Sequence, residues 1–261
     1  DYESLGPYYK YSGRFTSNEV NIIDGKLDRY IRRTGQQNQT IPNILVDRFR
    51  FDSFSTEQVQ QVLHGTYAKY AHIMYMYFVI TPPEETVERG WLRGQQRGRY
   101  KSVEDFLGHS VEAYQGIPKL IFKWLAHTRP RYEFTFFDNT VPKGDFPTIS
   151  ASGNQKGMLV FDPMVFINIE RYQKINIHAQ NSAEVYPSEE RMAVSNNMAF
   201  FNQCLRRFPC VSFSFGPDQP EYLHIKQKTF TVMDAPGFEQ LRQEPQLHLL
   251  FELILSPRVA H

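Results

Sequence analysis

Arg89, Arg93 and Arg97 recur at every fourth position within the stretch 81–101, TPPEETVERGWLRGQQRGRYK, and Arg99 follows two residues later. Residues four apart share one face of a helix, so these guanidinium groups form a potential anion clamp. Guanidinium forks fit phosphate oxygens, and phosphate is the anion this spacing favours. The competing reading is a solvated basic face balanced by Glu84, Glu85 and Glu88. A second group, Asp47, Arg48, Arg50 and Asp52, follows the apolar run at 44–46. A carboxylate such as Asp47 at a strand end orders Mg2+ or a metal-bound water, or else pairs with Arg48 or caps a helix. Arg50 and Asp52 fit an acceptor-binding role. Asp138 and Asn139 close a third run, YEFTFF at 132–137, where a plain turn also explains them.

These residues depend on the elements that carry them. Residues 72–80 are apolar throughout and predict a strand buried on both faces, as in the middle of a parallel sheet. The helix that follows opens with Thr81 at the cap, Pro82 and Pro83 at its start and Glu84 three residues after the cap. Gly90, Gly94 and Gly98 interleave with its arginines and predict a segment able to close. Residues 102–126 predict a long helix capped by Ser102, with Val103, Phe106, Leu107, Val111 and Tyr114 on its apolar face. Gly116 and Pro118 predict a break or kink in it. Upstream, 17–33 and 55–70 read as helices and 43–47 as a strand. Downstream, 140–156 reads as a long loop and 158–161 as a short strand. Asp162 caps the next helix, with Pro163 at its first position. The stretch 188–207 reads as one helix, while 211–215, 222–225 and 229–232 read as strands. Residues 247–255 are apolar and fit either element.

The alternation of strands and helices predicts an α/β fold, a parallel sheet flanked by helices, with a small C-terminal α+β extension. The expected division is an α/β domain at 1–180 and the extension at 181–261. Ligands of such sheets gather at the C-terminal ends of the strands. Asp47 with its arginines, the arginine helix, and Asp138 with Asn139 all fall there.

A net charge of +1 gives no global field toward nucleic acid, and no continuous basic stripe runs along the chain. No apolar run reaches the length of a membrane span. The two cysteines, Cys204 and Cys210, fit reduced thiols in a cytoplasmic compartment better than a disulfide. No CxxC, HExxH or GxSxG occurs, and His64, His72, His109 and His127 have no metal-ligand spacing.

With these motifs placed, the middle of the chain resembles the zeta-toxin-type branch of the P-loop kinases. NILVDRFRF at 43–51, the strand and arginine helix at 73–101, YEFTFFDN at 132–139 and MLVFDPMVFINIERYQKINIHA at 158–179 carry the resemblance. It covers roughly 40–180 and leaves the C-terminal part unexplained. It implies an ATP-dependent phosphotransferase with Mg2+ acting on a small acceptor such as a sugar nucleotide. Arg93 and Arg99 would then be the principal lid residues and Asp47 the metal-ordering acid. Arg89 and Arg97 would contact the nucleotide phosphates, Asp138 and Asn139 would lie near the base, and Arg48, Arg50 and Asp52 would face the acceptor. The family's G-x-x-x-x-G-K-[ST] phosphate loop does not occur in this sequence, and the resemblance implies a place for it before residue 1. The rival expectation is a non-catalytic, kinase-derived interaction protein of a bacterial effector or assembly system. An effector would be delivered into a host cell, with 181–261 as its protein-partner surface.

Overall fold

The sheet begins, among the described residues, with β1 (Ile73–Ile80), whose side chains alternate between the two faces. The computed structural model describes residues 29–30, 32–37, 43, 72–98, 100–142, 144–226 and 229–255. The strand expected at 43–47 and the helix expected at 55–70 therefore lie outside the described residues, apart from Asn43. So does most of the helix expected at 17–33, although its end at 29–30 and 32–33 is helical.

Helix α1 (Pro83–Arg97) leaves β1 with a proline in its first turn and Glu84 and Glu85 beside it, where acids favour the helix N-terminus. It ends at Gly98, whose φ of 64° is a left-handed cap, with its N–H donated to the carbonyl of Gly94 at 2.7 Å. Helix α2 (Val103–Leu125) is capped as expected, Ser102 Oγ accepting from the Asp105 N–H at 3.1 Å. The break expected at Gly116 and Pro118 does not occur, and α2 runs through both. Burial of Ile117, Leu120, Ile121 and Trp124 on one stripe offsets the hydrogen bond that Pro118 forfeits.

Strand β2 (Arg131–Asp138) returns parallel to β1, in a register that sets Ile80 beside Asp138. β3 (Thr148–Asn154) and β4 (Gly157–Val160) then form an antiparallel hairpin. Helix α3 (Met164–Arg171) follows; the helix expected at 188–207 is split into α4 (Glu189–Met192), a 3-10 turn and α5 (Ala199–Arg207). β5 (Cys210–Ser214), β6 (Glu221–Lys226) and β7 (Thr229–Val232) follow, then α6 (Ala235–Leu241) and α7 (Pro245–Leu255).

Among the described residues the fold is α/β, with a seven-stranded sheet in the order β1 to β7 flanked by helices. The expectation of a parallel sheet is corrected. Only β1–β2 and β4–β5 are parallel among these pairs, and the others are antiparallel. Each parallel pair is joined by a helical crossover, whereas short connections reverse the chain at the other junctions. The loop expected at 140–156 is corrected as well, because β3 occupies much of it. Its sequence, TISASGN, lacks the run of large apolar residues that marks a strand in isolation.

One core joins the even-numbered face of β1 and β2 to α2, α3, α5 and α7, and it extends through Val160, Val211, Phe213 and Leu223. Described residues between 181 and 255 share that core, and β5 pairs directly with β4. A smaller cluster of Leu107, Ile175, Ala179 and Val185 holds Val87 of α1 and Val111 of α2. The expected burial of β1 on both faces is not found: Tyr75 and Tyr77 are 52% and 59% exposed, and Val79 is also exposed. No described helix is long and apolar enough to cross a membrane. Cys204 and Cys210 carry free thiols.

Candidate functional site

Because β1 and β2 are parallel neighbours, their C-terminal ends lie side by side, and the groups expected there converge. The Asn139 N–H donates to the Ile80 carbonyl at 2.9 Å, and its side-chain Nδ2 donates to Thr81 Oγ1 at 3.1 Å. Asp138 closes a local turn: its Oδ1 accepts from the Thr140 N–H at 2.9 Å and from the Thr140 hydroxyl at 2.5 Å. Thr81, expected as the helix cap, does a different job. The Tyr114 hydroxyl donates to the Thr81 carbonyl at 2.6 Å and accepts from the Thr81 N–H at 3.0 Å. One phenol from α2 thus satisfies both main-chain groups at the strand-to-helix junction.

Arg89 is taken up by the fold. Its Nη2 donates to the carbonyls of Asn139 and Val141, each at 2.9 Å, and its Nε lies 3.5 Å from Glu85. It fastens the loop after β2 onto α1. Arg93 is exposed, and its Nε donates to the Arg89 carbonyl at 3.3 Å. Arg97, one turn on, is exposed as well, and neither has a carboxylate partner among the described residues. Asp47, Arg48, Arg50, Asp52 and Arg99 lie outside the described residues. Of the expected clamp, the structure brings Arg89, Asp138 and Asn139 together at the strand ends and leaves Arg93 and Arg97 facing solvent.

Replacing Arg89 by alanine is expected to cost about 1.5–3 kcal/mol, since charged donors to two carbonyls are lost. Urea denaturation would give the loss, and amide exchange would locate it in the loop at 139–141. A change below about 0.5 kcal/mol would contradict this role.

Tyrosines line the inner side of the site. Tyr114 packs on Tyr172 at 5.0 Å between ring centroids, and Tyr172 on Tyr186 at 6.4 Å. The Tyr186 hydroxyl donates to Glu84 in the first turn of α1. Burial pushes all three phenols well above the usual tyrosine range, and the bond to Glu84 raises Tyr186 further. They are neutral hydrogen-bond donors at any physiological pH. Tyr114 was legible as part of the apolar stripe of α2, but its hydroxyl's role has no signature in sequence.

Asp162, at the end of β4, caps α3 by accepting from the Met164 N–H at 2.9 Å. Burial raises its pKa against that bond, and the charges of Asp138 and Glu244 add to the rise. The Tyr222 hydroxyl feels the Asp162 charge and has no hydrogen-bond partner among the described residues. A carboxyl whose folded pKa is raised adds stability only while protonated. That contribution is full below about 3.9, the unfolded value, and is lost as pH rises through the folded value. Asp162→Asn keeps the acceptor for Met164 and removes the charge. It is expected to melt higher than the parent at pH 7, with the gain shrinking to nothing as pH falls toward about 4. A melting series over that range checks it; a variant less stable at pH 7 would contradict the assignment.

A separate cavity of about 350 Å³ lies over β2 to β5, bordered by Glu133, Thr135, Ser152 and Glu221. Gly157 lets the chain close there, since a Cβ would stand 2.9 Å from the Cys210 carbonyl. It lies along the strands, apart from the ends that carry Asp138 and Asn139. Among the described residues no group of His, Cys, Asp and Glu side chains is arranged to hold a metal.

No protein-family model, no curated protein and no solved structure matches the chain.

Proposed function

We propose that this chain carries the lid and the base-side loop of an ATP-dependent phosphotransferase of zeta-toxin type, acting on a hydroxyl of a small acceptor such as a sugar nucleotide. The supporting observation is the division of labour along α1. Arg89 holds the helix to the loop after β2, while Arg93 and Arg97 project from the same helix without a carboxylate partner among the described residues. A guanidinium held on a helix that leaves a strand end suits the charge that spreads over phosphoryl oxygens during transfer. In this reading Arg93 and Arg97 neutralise the donor phosphates, Arg99 extends the same set, and Asp138 and Asn139 face the base. Asp47 is the residue that would hold Mg2+, and the ion would supply neutralisation of phosphate charge there. The described residues supply no metal cluster, so no step is assigned to the ion. Arg48, Arg50 and Asp52 would meet the acceptor.

Calorimetric titration with ATP in the presence of Mg2+ tests this reading. Saturable binding that weakens as salt rises is expected, because phosphate contacts dominate. Transfer of labelled phosphate to a sugar nucleotide is the second readout. Absence of ATP binding up to roughly 1 mM would overturn the proposal.

A further inference from the structure

Helices α2 and α5 touch where the rings of Phe122 and Phe200 meet edge-on, at 5.9 Å between centroids. Beside that contact lies a groove of about 680 Å³, bordered by both helices and by Glu170 and Gln173. Its floor is aromatic and its apolar walls are small: Phe122 and Phe200 lie at the bottom, with Pro118, Ala126 and Ala199 around them. Its banks are cationic. Lys119 and Lys123 stand one turn apart on α2, and the Arg207 guanidinium on α5 sits 4.5 Å above the Phe122 ring. Neither lysine has a carboxylate partner among the described residues. The one acid in the lining, Glu170, is already engaged: it accepts from the Phe200 N–H at 3.0 Å and lies 3.8 Å from Lys174. Lys123 and Arg207 occupy the last turns of their helices, where cations are favoured by the helix dipole. Lys119 lies further back in α2 and has no such reason to be there. Three cations beside an apolar channel are a local departure for a chain of net charge +1.

We propose that this groove docks an acidic amphipathic helix of a partner protein. Between Gln115 and Ala126, α2 runs for about 16 Å, room for about three turns of a docked helix. Apolar side chains at positions i and i+4 of such a helix would enter between Pro118, Ala126 and Ala199. Carboxylates flanking them would meet Lys119 and Lys123 on one bank and Arg207 on the other. Arg207 would lift from Phe122 and exchange its cation–π contact for an ion pair, uncovering the ring for the partner. The site lies on the helical layer and does not depend on the phosphotransferase reading.

The test uses the full chain and two synthetic helical peptides of about 14 residues with identical leucine spacing, one flanked by glutamates and one by lysines. Fluorescence anisotropy is expected to show binding of the glutamate peptide alone, weakening as salt rises. Lys119→Glu with Lys123→Glu is expected to weaken it by about tenfold or more. Ala199→Trp, which fills the groove without touching its charges, is expected to weaken it as well. Circular dichroism of both variants establishes that they remain folded. Equal binding of the two peptides, no binding at about 1 mM, or binding unchanged by both variants would overturn the proposal. So would lysine-dependent binding to vesicles containing phosphatidylserine that the glutamate peptide fails to displace, which would make the groove a membrane-surface site.

Discussion

Under the proposed phosphotransferase function, the Arg93→Ala, Arg97→Ala double variant is expected to transfer phosphate about a hundred- to a thousandfold more slowly than the parent, with an unchanged melting temperature. Removing a single preorganised charge stabiliser costs about that much in enzymes where it has been measured. The separation of rate from stability follows from the structure. Both side chains are exposed, and neither has a carboxylate partner among the described residues. Surface substitutions of this kind move stability by only about 0.5 kcal/mol. The contrast with Arg89 is the sharper part of the expectation. Arg89 donates to Asn139 and Val141, so its loss should unfasten a loop rather than spare the fold. Single-turnover kinetics with labelled ATP, paired with thermal melts of both variants, separate these outcomes. A double variant within about twofold of the parent rate would remove the arginine face from the mechanism.

Phe136→Ala is expected to destabilise the protein by about 3–5 kcal/mol, the range for deleting a fully buried aromatic ring. Phe136 is 0% exposed and stands where the sheet meets its helices. Its ring meets Phe78 at 5.4 Å, Phe134 at 5.5 Å, Phe166 at 5.6 Å and Phe200 at 6.4 Å. These partners come from β1, β2, α3 and α5, so a cavity here loosens both parallel units of the sheet at once. Tyr77→Ala, on the exposed face of β1, is the matched control and should cost far less, although its ring also meets Phe137 at 5.7 Å. Urea denaturation of the two variants gives the comparison. A Phe136→Ala loss below about 1 kcal/mol would mean that the core does not close around this ring.

Much of the local structure near the site was legible. The proline pair at 82–83, the serine at 102 and the aspartate at 162 mark helix starts through backbone geometry and side-chain acceptors, which act over a few residues. The apolar runs of β1 and β2 were legible because large, β-branched and aromatic residues announce a strand. β3 was not, because its serines, alanine and glycine say little without the neighbours that pair with them. The continuity of α2 through Pro118 was not legible for a related reason: proline's penalty is local, and the burial that offsets it is not. At the candidate site, the arginine register and the Asp138–Asn139 pair were visible, but the split between Arg89 and its companions was not. That split depends on two carbonyls 50 and 52 residues away.

Side-chain type and short-range spacing thus determined where several helices start, that the apolar runs of β1 and β2 form strands, and that three arginines share a face. Those are properties of a few residues at a time, set by φ/ψ preference, capping and periodicity. Tertiary structure decided the direction of each strand pair, the exposure of the outer face of β1 and the fate of each guanidinium. It also decided that Tyr114 would bond both main-chain groups of Thr81 and that Lys119, Lys123 and Arg207 would border one groove. Each of these is a contact between residues distant in the chain, and its free energy exists only once the core has brought them together.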